Sequence, residues 1–145
     1  MKIVDIKGNL HDKDVLGVLS LSMYMPTEEK LNLRADEYES DEHITALACV
    51  DGKIVVGVIV VKGLTATSFE ILSIAVDSAF RGKGIGSKLI SAFIKSISCG
   101  EICAETNDDA VDFYRNYGFD INSLGEKYPG IVRYLCTLKF SSFSS

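Results

Sequence analysis

The stretch from Phe69 to Ile97, FEILSIAVDSAFRGKGIGSKLISAFIKSI, runs an apolar segment, an arginine, glycines at 82, 84 and 86, and an amphipathic helix pattern in unbroken succession. This order constrains the fold. A glycine-rich turn between a strand and a helix usually holds a phosphate, because the helix start offers unpaired backbone N–H groups. Ile85, Leu89, Phe93 and Ile97 form the buried stripe, widened by Ile90 and Ile94, while Lys88, Ser91 and Lys95 face away. Glycines allow a phosphate group to approach the backbone, and Arg81 and Lys83 add positive charge, so the expected occupant of the turn carries phosphate.

The rest of the chain supplies the sheet. KIVDI reads as a first strand, residues 12–24 as a helix with Val15, Leu16, Leu19 and Met23 in register, and Thr27 as the N-cap of a more polar helix running to about Glu39. HITALACV and KIVVGVIVVK form a hairpin through Asp51-Gly52, a dipeptide that accepts the positive φ angles of a tight turn. Ser68 to Val76 is the next strand and EICAE a short one. Asn107 is the predicted cap of a helix bearing Ala110, Phe113, Tyr114 and Tyr117, with Gly118 ending it. FDINSL and IVRYLCTLKF read as closing strands.

A chain of 145 residues is the size of one domain, expected over residues 1–140 with 141–145 a frayed tail. No apolar run nears the roughly 18 residues that span a bilayer. MKIVDIKGNLHD lacks the pattern of a signal peptide, so a cytoplasmic protein without a membrane partner is expected. Cys49, Cys99, Cys103 and Cys136 lie among apolar neighbours and read as buried free thiols. His11 and His43 form no ligand cluster with them, so no metal is expected. The net charge of -5 argues against nucleic acid as a partner.

Two phosphate-binding patterns fit the turn poorly. A Walker loop needs glycine immediately before Lys88 and a hydroxyl residue after it, where Ser87 and Leu89 stand. A dinucleotide fingerprint needs a third glycine at position 87 and an opening place in the fold, and three predicted strands already precede the turn. Arg81-Gly82-Lys83-Gly84-Ile85-Gly86 instead resembles the Arg/Gln-x-x-Gly-x-Gly/Ala loop of the GNAT superfamily of N-acetyltransferases. NDDAVDFYRNYGF, from Asn107 to Phe119, looks like that superfamily's second signature. The likeness is strongest over residues 68–119.

The resemblance implies a mixed α+β sandwich with a twisted, mostly antiparallel sheet flanked by helices, and acetyl-CoA as cosubstrate. Coenzyme binding would fall to Arg81, Gly82, Lys83, Gly84, Ile85, Gly86 and Ser87, and to the main chain of Ile74, Ala75 and Val76 in a bulged strand, with Asn107 a helix cap and secondary contact. Acyl transfer to an amine needs a base, because an alkyl amine titrates near 10.4, and a proton donor for the leaving thiolate. Regular alternation puts Glu70 on one face with Leu72, Ile74 and Val76, an apolar setting that would raise a carboxylate pKa. A glutamate near this strand position is the base in some family members. Tyr114 occupies the position whose phenol serves as acid in many, whereas Tyr117 reads as core.

The acceptor is less legible. Glu28, Glu29, Asp36, Glu37, Glu39, Asp41 and Glu42 face only Lys30 and Arg34 between residues 27 and 43, which reads first as a solvated helix face and second as a site for a cationic acceptor. Tyr128 and Tyr134 are candidates for an acceptor pocket or for core. A small-molecule amine and a protein amine both fit, a homodimer through a closing strand edge is compatible, and the alternative to an enzyme is a non-catalytic acyl-CoA sensor.

Overall fold

The computed structural model describes residues 1–97 and 99–141, without the side chain of Cys99. The element order is β1 (Lys2–Asp5), α1 (Lys13–Leu19), α2 (Glu28–Ser40), β2 (Ile44–Asp51), β3 (Ile54–Gly63), β4 (Ser68–Val76), α3 (Ile85–Ile97), β5 (Cys99–Asn107), α4 (Val111–Tyr117), β6 (Asp120–Tyr128) and β7 (Ile131–Ser141). The strands form one sheet in the order β1-β2-β3-β4-β5-β7-β6. Every neighbouring pair is antiparallel except β4 and β5. This is the expected mixed α+β arrangement.

Two apolar clusters sandwich the sheet. α3 and α4 cover one face with Ile85, Leu89, Phe93 and Tyr114 against Ile59, Ile71 and Ile102. α1 and α2 cover the other with Val15, Leu19, Ala35 and Tyr38 against Val58 and Val60. β3 lies under both layers, and Val56 to Val61 are all buried, which explains its continuous apolar run where a one-sided strand would alternate. Leu89 and Phe93 are fully enclosed, and each such side chain contributes about 1.5–3 kcal/mol of transfer free energy.

Gly57 sets the seat of α3. A β-carbon there would lie 2.7 Å from Ile85 Cγ2 and 3.2 Å from Leu89 Cδ1, so only glycine lets the helix start approach β3 this closely. The hairpin turns as expected, with Gly52 at φ 63°. Thr27 caps α2, its Oγ1 accepting from the Lys30 N–H at 3.1 Å.

Three boundaries depart from the sequence reading. α1 stops at Leu19 and tightens into a 3₁₀ turn, where the Ser20 and Ser22 hydroxyls donate to the Gly17 and Leu19 carbonyls. Asn107 ends β5 rather than capping α4: its Oδ1 accepts from the Asp109 N–H at 3.0 Å in a turn, and the cap position belongs to Ala110. Ser141, expected in the tail, is the last residue of β7, and residues 142–145 lie outside the described residues. The thiols divide as well. Cys49 and Cys136 are buried, whereas Cys103 is only partly so, and Cys99 is not described at its side chain.

Candidate active site

The site begins where two parallel strands part. β4 and β5 pair only at Ser68↔Glu101, Phe69↔Ile102 and Glu70↔Cys103, after which β5 continues with β7 and β4 with β3. From Ile71 onward the β5-facing edge of β4 has no strand partner, and an unpaired edge presents N–H and C=O groups in alternation. A cleft of about 470 Å³ opens beside it. Its walls are Ile74, Ala75 and Val76 of β4, Phe80, Arg81, Gly82 and Gly84 of the turn, the first residues of α3, and Asp109, Ala110, Phe113 and Tyr114.

β4 carries a bulge. Val60 pairs with Ser73 but Val61 with Ile71, which leaves Leu72 as the extra residue. Phe69 and Ile71 point into the α3 cluster, Leu72 packs on the α1/α2 cluster, Ser73 bonds Tyr38 of α2, and Ile74 and Val76 return to the α3 side. Two successive residues therefore face α2, and the strand's phase flips between them. The expected placement of Glu70 fails for this reason: it shares a face with Leu72 but not with Ile74 and Val76. Glu70 is half-buried at the apex of the wedge, on the side opposite the α3 cluster. It neighbours Cys103, whose thiol is pushed up by burial first and by the Glu70 and Glu101 charges after that.

The glycines serve different ends. Gly82 and Gly84 hold φ angles of 78° and 75°, and a β-carbon on either would meet no protein atom within 4 Å. They give the turn its left-handed steps and leave the cleft floor bare backbone. Gly86 has no such angle, and a β-carbon there would strike Phe113 Cε1 at 2.9 Å, so its role is to let α3 and α4 close on each other. Arg81 and Ser87 line the cleft. Lys83 does not, because its ammonium sits over the Phe80 ring at 5.3 Å.

Tyr114 is 4% exposed, wedged edge-to-face between Phe113 and Phe119. Burial holds its phenol protonated well above the ordinary tyrosine range, with a smaller contribution from Cys136. Among the described residues its hydroxyl has no hydrogen-bond partner, yet no sealed side-chain polar atom lacks one. That hydroxyl is accordingly reached from the cleft. Tyr117 joins the core as expected, with its hydroxyl 2.8 Å from Ser91 Oγ.

Asn107 and Glu70 stand outside the cleft walls, and Leu21, Phe80, Asp109, Ala110 and Phe113 join them without having been singled out. Leu21 arrives from the turn after α1, a tertiary approach that leaves no local sign. The acids of residues 27–43 are largely occupied: the Glu39 carboxylate accepts from the Gly8 N–H at 2.7 Å, Asp36 lies 2.8 Å from His11, and Asp41 lies 3.2 Å from Lys62. Tyr128 is 65% exposed, whereas Tyr134 packs half-buried against the α3/α4 cluster with its hydroxyl donating to Asp108 at 2.5 Å, so Tyr134 joins the core and neither lines the cleft.

Known proteins share this arrangement. Residues 41–121, more than half the chain, match the family model described as an acetyltransferase (GNAT) domain. An uncharacterized protein of Mycobacterium leprae (strain TN) is 35% identical over 63 residues, covering 41% of this chain and only 18% of that protein. An aminoglycoside 6'-N-acetyltransferase complexed with coenzyme A superposes with a TM-score of 0.82 at 17% identity, covering 96% of this chain and 97% of that one. The ribosomal-protein-S18-alanine N-acetyltransferase of Escherichia coli does so at 0.78 with 14% identity, covering 97% and 94%. Ard1 of Thermoplasma volcanium gives 0.71 with 26% identity, covering 96% and 97%. With a family model matched over more than half of its length, the chain belongs to the GNAT family of acetyltransferases.

Proposed function

We propose that this chain transfers the acetyl group of acetyl-CoA to a primary amine by direct attack. The observation that carries the reading is the meeting, in one cleft, of a bare-backbone glycine turn at a helix start, an unpaired strand edge and the hydroxyl of a buried tyrosine. The residues present fit the coenzyme. Gly82 and Gly84 leave room for a pyrophosphate where any β-carbon would project into open space, the start of α3 offers its free N–H groups, and Arg81 brings a guanidinium to the same wall.

Bound there, acetyl-CoA supplies the activated acyl group. The N–H groups of Ile74 and Val76, which face the unpaired edge while that of Ala75 faces β3, polarise the thioester carbonyl. Tyr114, kept neutral by burial, donates its proton to the departing sulfur. Glu70, on the opposite face of the sheet, collects the amine proton, directly or through water, so the acceptor approaches from the α2 side while the coenzyme enters from the α3 side. The acceptors named for two structural relatives, an aminoglycoside and an alanine of a ribosomal protein, span small-molecule and protein amines, and either class fits here.

Calorimetry of the purified protein with acetyl-CoA, coenzyme A and ATP tests the reading. Micromolar binding of the two coenzyme forms without ATP binding is the expected result. Failure to bind either coenzyme form would make the glycine turn a structural device and end the proposal. Turnover in a subsequent amine screen separates an enzyme from an acyl-CoA sensor.

A further inference from the structure

Among the described residues only Ser73 and Thr106 are both polar and buried. Ser73 sits at the β4 bulge, and its Oγ lies 2.7 Å from the hydroxyl of Tyr38 on α2, each residue being 4% exposed. The two are 35 positions apart in sequence. Their bond ties the helix on one face of the sheet to the strand segment that lines the cleft on the other.

The neighbours of Ser73 do not by themselves fix the strand's phase. Ile71, Leu72, Ile74 and Ala75 are all apolar, and both faces of the sheet offer an apolar cluster to receive them. A one-residue slip, which turns every following side chain to the other face, is therefore weakly opposed by burial alone. Ser73 is the exception. A buried hydroxyl needs a partner, and Tyr38 supplies one on the α2 side.

We propose that Tyr38 is a positioning residue for acyl transfer, its bond to Ser73 locking the β4 bulge in the phase that directs the Ile74–Val76 backbone at the thioester. The inference rests on the acetyl-CoA reading above. It assigns to α2 a part in the chemistry that is separate from any contact with the acceptor. The glycine turn is at the far end of the cleft wall from the bulge, so coenzyme affinity and carbonyl polarisation become separable quantities.

Isotope-edited infrared spectroscopy of [1-13C]acetyl-CoA reads the second quantity directly. Bound to the unsubstituted protein, the carbonyl band is expected to shift to lower frequency than in water. In Tyr38→Phe and in Ser73→Ala it should move back toward the free position, while affinity for coenzyme A stays within about threefold. The double variant should lose no more than either single one, because both remove the same bond. Should Tyr38→Phe fail to fold, Ser73→Ala, which leaves α2 intact, decides alone. A wild-type band in variants that bind acetyl-CoA would overturn the positioning role and leave the coenzyme reading standing. No acetyl-CoA binding by the unsubstituted protein would overturn both.

Discussion

Phe113 lies so close to the backbone of Gly86 that a β-carbon there would sit 2.9 Å from its Cε1 and 3.0 Å from its Cζ. The first turn of α3 and the first turn of α4 thus meet with only the Phe113 ring between them, and both line the cleft. Gly86→Ala gains about 1 kcal/mol of helix propensity and incurs about 1–3 kcal/mol of overpacking. The expected outcome is a net destabilisation of about 1 kcal/mol, seen as a lower denaturation midpoint. Adding Phe113→Leu should recover most of it.

Tyr114→Phe removes a hydroxyl that bonds nothing among the described residues, so stability should change by less than about 1 kcal/mol. Turnover should fall by about 10²-fold with little change in acetyl-CoA affinity. Because burial keeps this phenol protonated above its ordinary range, the activity profile below about pH 10 should keep its shape in the variant. Steady-state kinetics of coenzyme A release across pH would check this, and unchanged turnover would remove Tyr114 from the mechanism.

Gly84→Glu combines a strained left-handed backbone angle with a carboxylate projected into the cleft floor. Coenzyme binding should be lost in calorimetry while the fold persists. Arg81→Ala should weaken binding by about tenfold, an effect that shrinks as salt is raised.

Glu70→Gln should lower turnover by about 10²-fold or more with acetyl-CoA affinity retained, if affinity and turnover are measured separately. An acceptor offered in its neutral form at high pH should recover part of the loss. A variant with normal kinetics would assign the proton to another group or to solvent.

Glu105 links three strands, its Oε1 accepting from Lys127 Nζ at 3.0 Å and Arg133 Nε at 3.2 Å. The Lys127 bond first, and the Arg133 bond after the opposing effect of burial, hold its carboxyl below the ordinary glutamate range. A depressed folded value stabilises the protein above the unfolded pKa and ceases to do so as pH falls through the depressed one. Glu105→Gln should therefore unfold at lower urea than the parent at pH 7, with the gap closing in acid.

Much of this was legible in the residues themselves. The β4–turn–α3 succession was readable because apolar strand, glycines and helical stripe are each local patterns, and the Asp51-Gly52 hairpin because its turn demands positive φ. The cap at Asn107 was misread because an Asn side chain serves equally in a turn that bonds the N–H two residues on, and which one forms depends on where β5 must end. Leu21 was invisible because nothing in its own neighbourhood points to a cleft formed by residues fifty or more positions away.

By itself the sequence determined the elements, their order and the chemistry available at the glycine turn, since periodicity, turn residues and backbone freedom act over a few neighbouring positions. Tertiary structure alone decided on which face Glu70 stands, why Gly86 is a glycine, and where the cleft opens. Each of those depends on a long-range event: the bulge that pairs Val60 with Ser73 and Val61 with Ile71, the docking of α4 on α3, and the parting of β4 from β5 after Glu70. A single extra residue in a strand reverses every side chain beyond it, and no local pattern announces that residue when both faces of the sheet are apolar.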